Sequence, residues 1–159
     1  MEKVLFATFV LFWTACSNQH KNINDFPSFN ILLPDSLTIV NTCKAWKEKP
    51  TVLVYFSPDC EHCQKETASI LHNMDSLKNV QFFFITNDPL NRLIVFNWYY
   101  KIYRYSNITL GRDYSFFFPG HYKDVSPPYT MIFDQYKHLA AVYKGESEAR
   151  DIIHCISTF

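Results

Sequence analysis

Residues 60–63 read Cys60-Glu61-His62-Cys63, and two thiols at that spacing can exchange electrons, hold a soft metal ion or close a crosslink. An apolar run, Val52-Leu53-Val54-Tyr55-Phe56, precedes them and stops at Ser57-Pro58-Asp59. If the cysteines open a helix, they can close a small disulfide ring without moving the backbone. Cys60 then meets unpaired backbone N–H groups and the positive end of the helix dipole, and both favour its thiolate. Cys63 lies one turn deeper, where it can act as the resolving thiol. Three neighbours tune the pair: a protonated His62 stabilises the Cys60 thiolate, whereas Asp59 and Glu61 oppose it. Two acids against one titratable base predict an intermediate to reducing poise.

The elements that must position this pair follow from periodicity. Thr51–Phe56 and Val80–Thr86 are continuous apolar runs, the pattern of strands buried on both faces. Between them, Ala68, Leu71, Met74 and Leu77 recur at helical spacing over 61–77, with Lys65, Glu66 and Asp75 outside the stripe. Pro89 can open a helix over 90–105. Residues 107–122 show only turn signals, at Gly111 and Pro119-Gly120. Tyr129–Asp134 and Leu139–Tyr143, joined by a turn at 135–137, read as a hairpin, and a last helix runs over 147–157. Near the start, 29–33 begins the ordered domain and 37–46 is ambiguous between strand and helix. Strand–helix alternation followed by a hairpin and helix predicts an α/β domain with a mixed sheet and helices on both faces.

This order, with "SPDCEHC" after the first central strand and Pro128 before the hairpin, resembles the thioredoxin fold. More narrowly, it is similar to the TlpA/ResA-like thiol–disulfide oxidoreductases held outside the bacterial cytoplasmic membrane. The resemblance covers roughly 29–159, most closely 51–66 and 127–145. It implies an enzyme exchanging disulfides with protein clients and a redox partner, with no cofactor. It also implies a cis bond before Pro128, facing the dithiol, and a client strand pairing with the backbone of Pro127. Proline has no N–H, so one such hydrogen bond is missing, a loss of about 0.5–1.5 kcal/mol. The buried acid that the family carries six residues before the nucleophile is replaced here by Val54. Glu61, water or an unplaced group is left to deprotonate Cys63.

Other readings of the pair are weaker. Structural zinc takes four ligands, and here His62 sits between the cysteines, no second pair follows, and His121 is a lone distant donor for copper. A peroxidase would suit Ser57, three residues before Cys60, but Leu53 stands where its proline belongs. A non-catalytic binding module would rest on Trp98, Tyr99, Tyr100, Tyr103, Tyr105 and Phe116–Phe118, aromatics more simply read as core.

The chain as a whole bounds these readings. Its 159 residues are 48% hydrophobic, enough for one domain with a sizeable core. Fifteen basic residues balance fifteen acidic ones (15 and 15), giving no electrostatic reason to expect nucleic acid. Lys3 followed by the apolar 4–13 run and Thr14-Ala15-Cys16 resembles a bacterial lipoprotein signal, with 1–15 removed and Cys16 lipidated. An ordinary secretory signal or a buried N-terminal helix are the alternatives. On the lipoprotein reading, the polar 16–28 stretch tethers the domain to a membrane in the periplasm, where disulfides persist. Cys43 and Cys155 are then either a structural disulfide or two free thiols acting as small hydrophobes, and free thiols are the reading we take.

Overall fold

The computed structural model describes residues 25–159, so residues 1–24, including Cys16 and the apolar 4–13 run, lie outside the described region. Seven strands form one sheet in the order β2-β1-β5-β4-β3-β6-β7. At its centre lie β3 (Thr51–Tyr55) and β4 (Gln81–Thr86), paired in parallel with every residue buried. Burial on both faces is why these two read as unbroken apolar runs. On one side β4 pairs in parallel with β5 (Ile108–Arg112). On the other, β3 pairs antiparallel with β6 (Tyr129–Phe133), which forms the expected hairpin with β7 (Leu139–Lys144). The outer hairpin β1 (Asn30–Leu32) and β2 (Ile39–Asn41) joins β5 through Leu32 opposite Arg112. That approach is tight: a Cβ on Gly111 would lie 2.7 Å from Cδ1 of Ile31, so only glycine lets the strands meet.

Side chains alternate through the sheet into two cores. Val52, Val54, Phe56, Phe82 and Phe84 point to one face, under α1 (Glu61–His72), α2 (Met74–Leu77), α3 (Leu90–Tyr100) and α5 (Ala149–Ile156). Leu53, Tyr55, Phe83 and Ile85 point to the other, covered by Phe118 of α4 (Phe117–His121) and by Phe26 and Phe29 of the N-terminal segment. The successive crossovers β3-α1-β4 and β4-α3-β5 step the same way across the sheet. Right-handed connections therefore place α1 and α3 on one face.

Several local expectations differ. The buried face of α1 is Cys63, Glu66, Thr67 and Ile70, so Glu66 is inside and Ala68 is exposed. The helix also breaks at Asn73, whose amide donates back to the Ser69 carbonyl at 2.9 Å. Residues 107–122 contain a full sheet strand and a short helix. The fold starts before residue 29: Phe26 is buried edge-on against Phe133, with ring centroids 5.0 Å apart.

Candidate active site

β3 carries the chain to the site and α1 begins in it. Cys60 is the residue capping the N-terminus of α1, at φ −82° and ψ 118°, the extended geometry of a helix cap. Its Sγ accepts the Cys63 N–H at 3.4 Å, the bond a serine or aspartate oxygen would otherwise accept at this position. The Cys60 N–H donates to the Ser57 carbonyl at 3.1 Å, which closes the turn through Pro58-Asp59. Cys63 lies one turn in and is 1% exposed, and both thiols are free. Burial pushes the Cys63 thiol well above the ordinary thiol range, and the neighbouring Cys60 and the charge of Glu66 add to the rise. Cys60 is thus the partly exposed sulfur of the pair and Cys63 the buried one.

Sequence reasoning missed Glu66. It sits three residues after Cys63 on the same buried face of α1 and is 1% exposed. One carboxylate oxygen, Oε1, accepts hydrogen bonds from Thr130 Oγ1 at 2.7 Å and Ser147 Oγ at 2.6 Å. Its Oε2 has no partner among the described residues. Burial holds the Glu66 carboxyl above the usual carboxylate range, against the pull of the two hydroxyls. A buried carboxyl with one free oxygen beside a buried thiol can take and return a proton. Glu61 cannot do this: it is on the surface, tied to Lys65 at 2.7 Å, and that lysine lowers its carboxyl. The available signal was the i, i+3 spacing from Cys63 to Glu66, which puts both on one helix face.

The other sequence-predicted neighbours are engaged elsewhere. Asp59 Oδ2 pairs with Arg92 Nη1 at 2.7 Å. His62 Nδ1 meets Glu146 Oε2 at 2.6 Å, which ties the residue between the two cysteines to the turn after β7. Pro127-Pro128 is cis, as expected, and the Pro128 carbonyl accepts the Gly145 N–H at 2.9 Å. Since Tyr55 at the end of β3 faces Tyr129 at the start of β6, this proline pair and the dithiol share one edge of the sheet. Cys43 Sγ lies 3.3 Å from Lys137 Nζ, and Cys155 packs partly into the core beneath α5; both are free. Trp98, Tyr99, Tyr103 and Phe116 are not core but exposed. Among the described residues, no three His, Cys, Asp or Glu side chains are grouped to hold a metal ion, and no helix is long and apolar enough to cross a membrane.

Neither a protein-family model nor a curated protein matches the chain. Solved structures do. A secreted disulfide oxidoreductase of Mycobacterium tuberculosis, homologous to E. coli DsbE, superposes with a TM-score of 0.69 at 15% identity, over 82% of this chain and 96% of its own. This chain has a thioredoxin fold. The same thioredoxin fold is shared by the exposed lipoprotein thioredoxin of Streptococcus pneumoniae, at TM-score 0.64 and 17% identity over 84% of this chain and 100% of that one. It is shared too by the peroxidoxin BcpB of M. tuberculosis, at TM-score 0.68 and 13% identity over 85% of this chain and 95% of that one. At these identities the likeness is one of architecture. What the site does rests on its own residues.

Proposed function

We propose that this chain is an extracytoplasmic thiol–disulfide oxidoreductase that reduces protein disulfides through Cys60 and Cys63. The observation that carries the reading is the pairing of a reachable cap thiol, Cys60, with a buried thiol, Cys63, backed by the buried Glu66.

The Cys60 thiolate attacks one sulfur of a client disulfide. A Cys60–client bond forms, the client's disulfide breaks, and its other sulfur leaves as a thiolate that takes a proton from water. Cys63 gives its proton to Glu66, and its sulfur attacks Cys60 Sγ. The Cys60–Cys63 disulfide forms, the mixed disulfide breaks, and the second client sulfur leaves and is protonated. The dithiol has lost two protons and two electrons and the client has gained them, so a separate dithiol donor must regenerate the protein. Asp59 and Glu61 remain tuning groups in this scheme, muted by Arg92 and Lys65.

The reducing direction is supported by what surrounds the sulfurs. A strong oxidant stabilises its reduced form as thiolate. Here burial and Glu66 disfavour the Cys63 thiolate, and the one base of the motif, His62, is compensated by Glu146. The location is read from Lys3, the apolar 4–13 run and Cys16, taken as a lipidation signal; a secreted protein and an exposed lipoprotein are among the proteins sharing the fold.

The test is the reduction potential of the couple together with insulin reduction. A value near −270 mV is that of a reductase and one near −120 mV that of an oxidant. Cys60→Ser should abolish insulin reduction. Full activity in that variant, or a potential at the oxidising end, would overturn the reading.

A further inference from the structure

The face of α3 beside the dithiol is unusual for a surface. Val95, Trp98 and Tyr99 are 68%, 65% and 77% exposed on one side of the helix. Between this face and the Pro58-Asp59 turn runs a cleft of about 380 Å³. Val95, Tyr99 and Tyr100 form its apolar wall, with Phe96 behind them. The opposite wall is Pro58-Asp59, the two residues that lead directly into Cys60. The Asp59–Arg92 ion pair spans from that wall to α3.

We propose that this cleft is a specificity pocket for the client. It takes a large uncharged side chain, aromatic or aliphatic, from the chain segment flanking the reacting cysteine. The inference rests on the oxidoreductase reading and names the substrate class of the same site. Three observations carry it. The cleft flanks the nucleophile, since Pro58 and Asp59, just before Cys60, and Gln64, one turn after it, line it, so a client whose sulfur reaches Cys60 can lay its flanking residues there. Beyond its valine, phenylalanine and tyrosines the lining holds the uncharged Gln64 and Asn91, and its two charges, Asp59 and Arg92, pair with each other at 2.7 Å, which favours an uncharged occupant over an acidic or basic one. On the other flank of the dithiol, Pro127 lacks the N–H that would pair with an extended client. Affinity lost there as a backbone hydrogen bond is recovered here as side-chain burial, so recognition shifts from any extended chain to chains with an apolar residue near the cysteine.

The test uses the reduced protein in single turnover against short peptides holding one cysteine as a mixed disulfide with glutathione. A few residues from the cysteine the peptides carry either phenylalanine or serine. Cys60 attacks the peptide sulfur, glutathione leaves, and Cys63 releases the peptide thiol, so no added reductant is needed. The expected result is a preference of about tenfold for phenylalanine, the worth of burying most of one large side chain. Tyr99→Ala and Val95→Asp should each abolish the preference, while Tyr136→Ala, on the distant β6–β7 turn, should keep it. Because the readout is a ratio within each protein, a partly folded variant does not distort it. Equal rates for the two peptides in the wild type, or a preference that survives Tyr99→Ala and Val95→Asp, would overturn the pocket and leave the oxidoreductase standing. Equal rates in the wild type accompanied by a dimer sealed by α3 in sedimentation at the same concentration would overturn it in favour of self-association. Failure of the wild type to exchange with any of these peptides would instead sink the oxidoreductase reading itself.

Discussion

Glu66 shows how one buried carboxyl can cost stability and contribute chemistry together. Its folded-state carboxyl is held above the ordinary value of 4.5, mainly by burial. The folded protein therefore binds the proton more tightly than the unfolded chain. The stability associated with this group is fully present below the unfolded value and is lost as pH rises through the raised folded one. Glu66→Gln keeps an oxygen for Thr130 and Ser147 but carries no charge. Its melting temperature should exceed that of wild type at pH 8, and the gap should close as pH falls towards 4.5, where wild-type Glu66 is itself protonated. The same variant should slow release of the Cys60 mixed disulfide by about a hundredfold at neutral pH, the lower range for a positioned proton acceptor. Thermal melts across pH and stopped-flow exchange measure the two effects. A variant less stable than wild type at pH 8, or one that releases client at full speed, would remove Glu66 from the proton path.

At the scale of elements, the turn after β7 does more than join a strand to α5. Glu146 holds His62, between the two cysteines, and the adjacent Ser147 holds Glu66 behind them. Gly145, at φ +96°, gives this turn its left-handed bend and donates to Pro128 across the site. Replacing Glu146 with glutamine removes a carboxylate held against His62 beside the Cys60 cap, and should favour the thiolate of the reduced form. The potential should rise by about 5–20 mV at pH 7, the two-electron equivalent of the ~0.2–1 kcal/mol carried by an exposed pair. The rise should disappear in a His62→Ala background, where nothing ties the turn to the cap; equilibration against glutathione reads it, and a rise that persists without His62 would refute the link. How far such elements were legible depended on how uniform each buried face is. β3, β4 and β6 announced themselves because both of their faces are apolar. β5, Ile-Thr-Leu-Gly-Arg, did not: it is half-buried, its glycine is there to admit Ile31, and its arginine ends it between Leu32 and Thr86. The helix after the dithiol was placed correctly but turned the wrong way, because a face holding Glu66 and Thr67 reads as solvent-facing until the hydroxyls of Thr130 and Ser147 and the Cys63 carbonyl are known to satisfy it. The dithiol and Pro127-Pro128 were visible in the chain; the burial of Glu66 was not, since its partners lie 64 and 81 residues away. The exposed aromatics of α3 misled in the opposite sense, as composition alone assigns such residues to a core.

For the molecule as a whole, the dithiol sits at the carboxyl end of β3, where its neighbours change from parallel β4 to antiparallel β6. A bond between the two sulfurs there changes the stability of the folded chain. The thermodynamic cycle is simple: if the folded protein is a stronger reductant than its own unfolded chain, its disulfide form must be the more stable fold by the same free energy. Each 30 mV of difference corresponds to about 1.4 kcal/mol for two electrons. In the dithiol form Cys63 must remain a buried protonated thiol beside Glu66, whereas the disulfide removes the titrating group altogether. The oxidised protein should therefore resist urea better than the reduced one, by about 1–3 kcal/mol or roughly 20–65 mV. Paired denaturation curves, one in dithiothreitol and one without, decide the matter with no client present. A reduced form more stable than the oxidised one would mean that the fold favours its thiols and makes the couple more oxidising than its own unfolded chain, against the reducing direction proposed above.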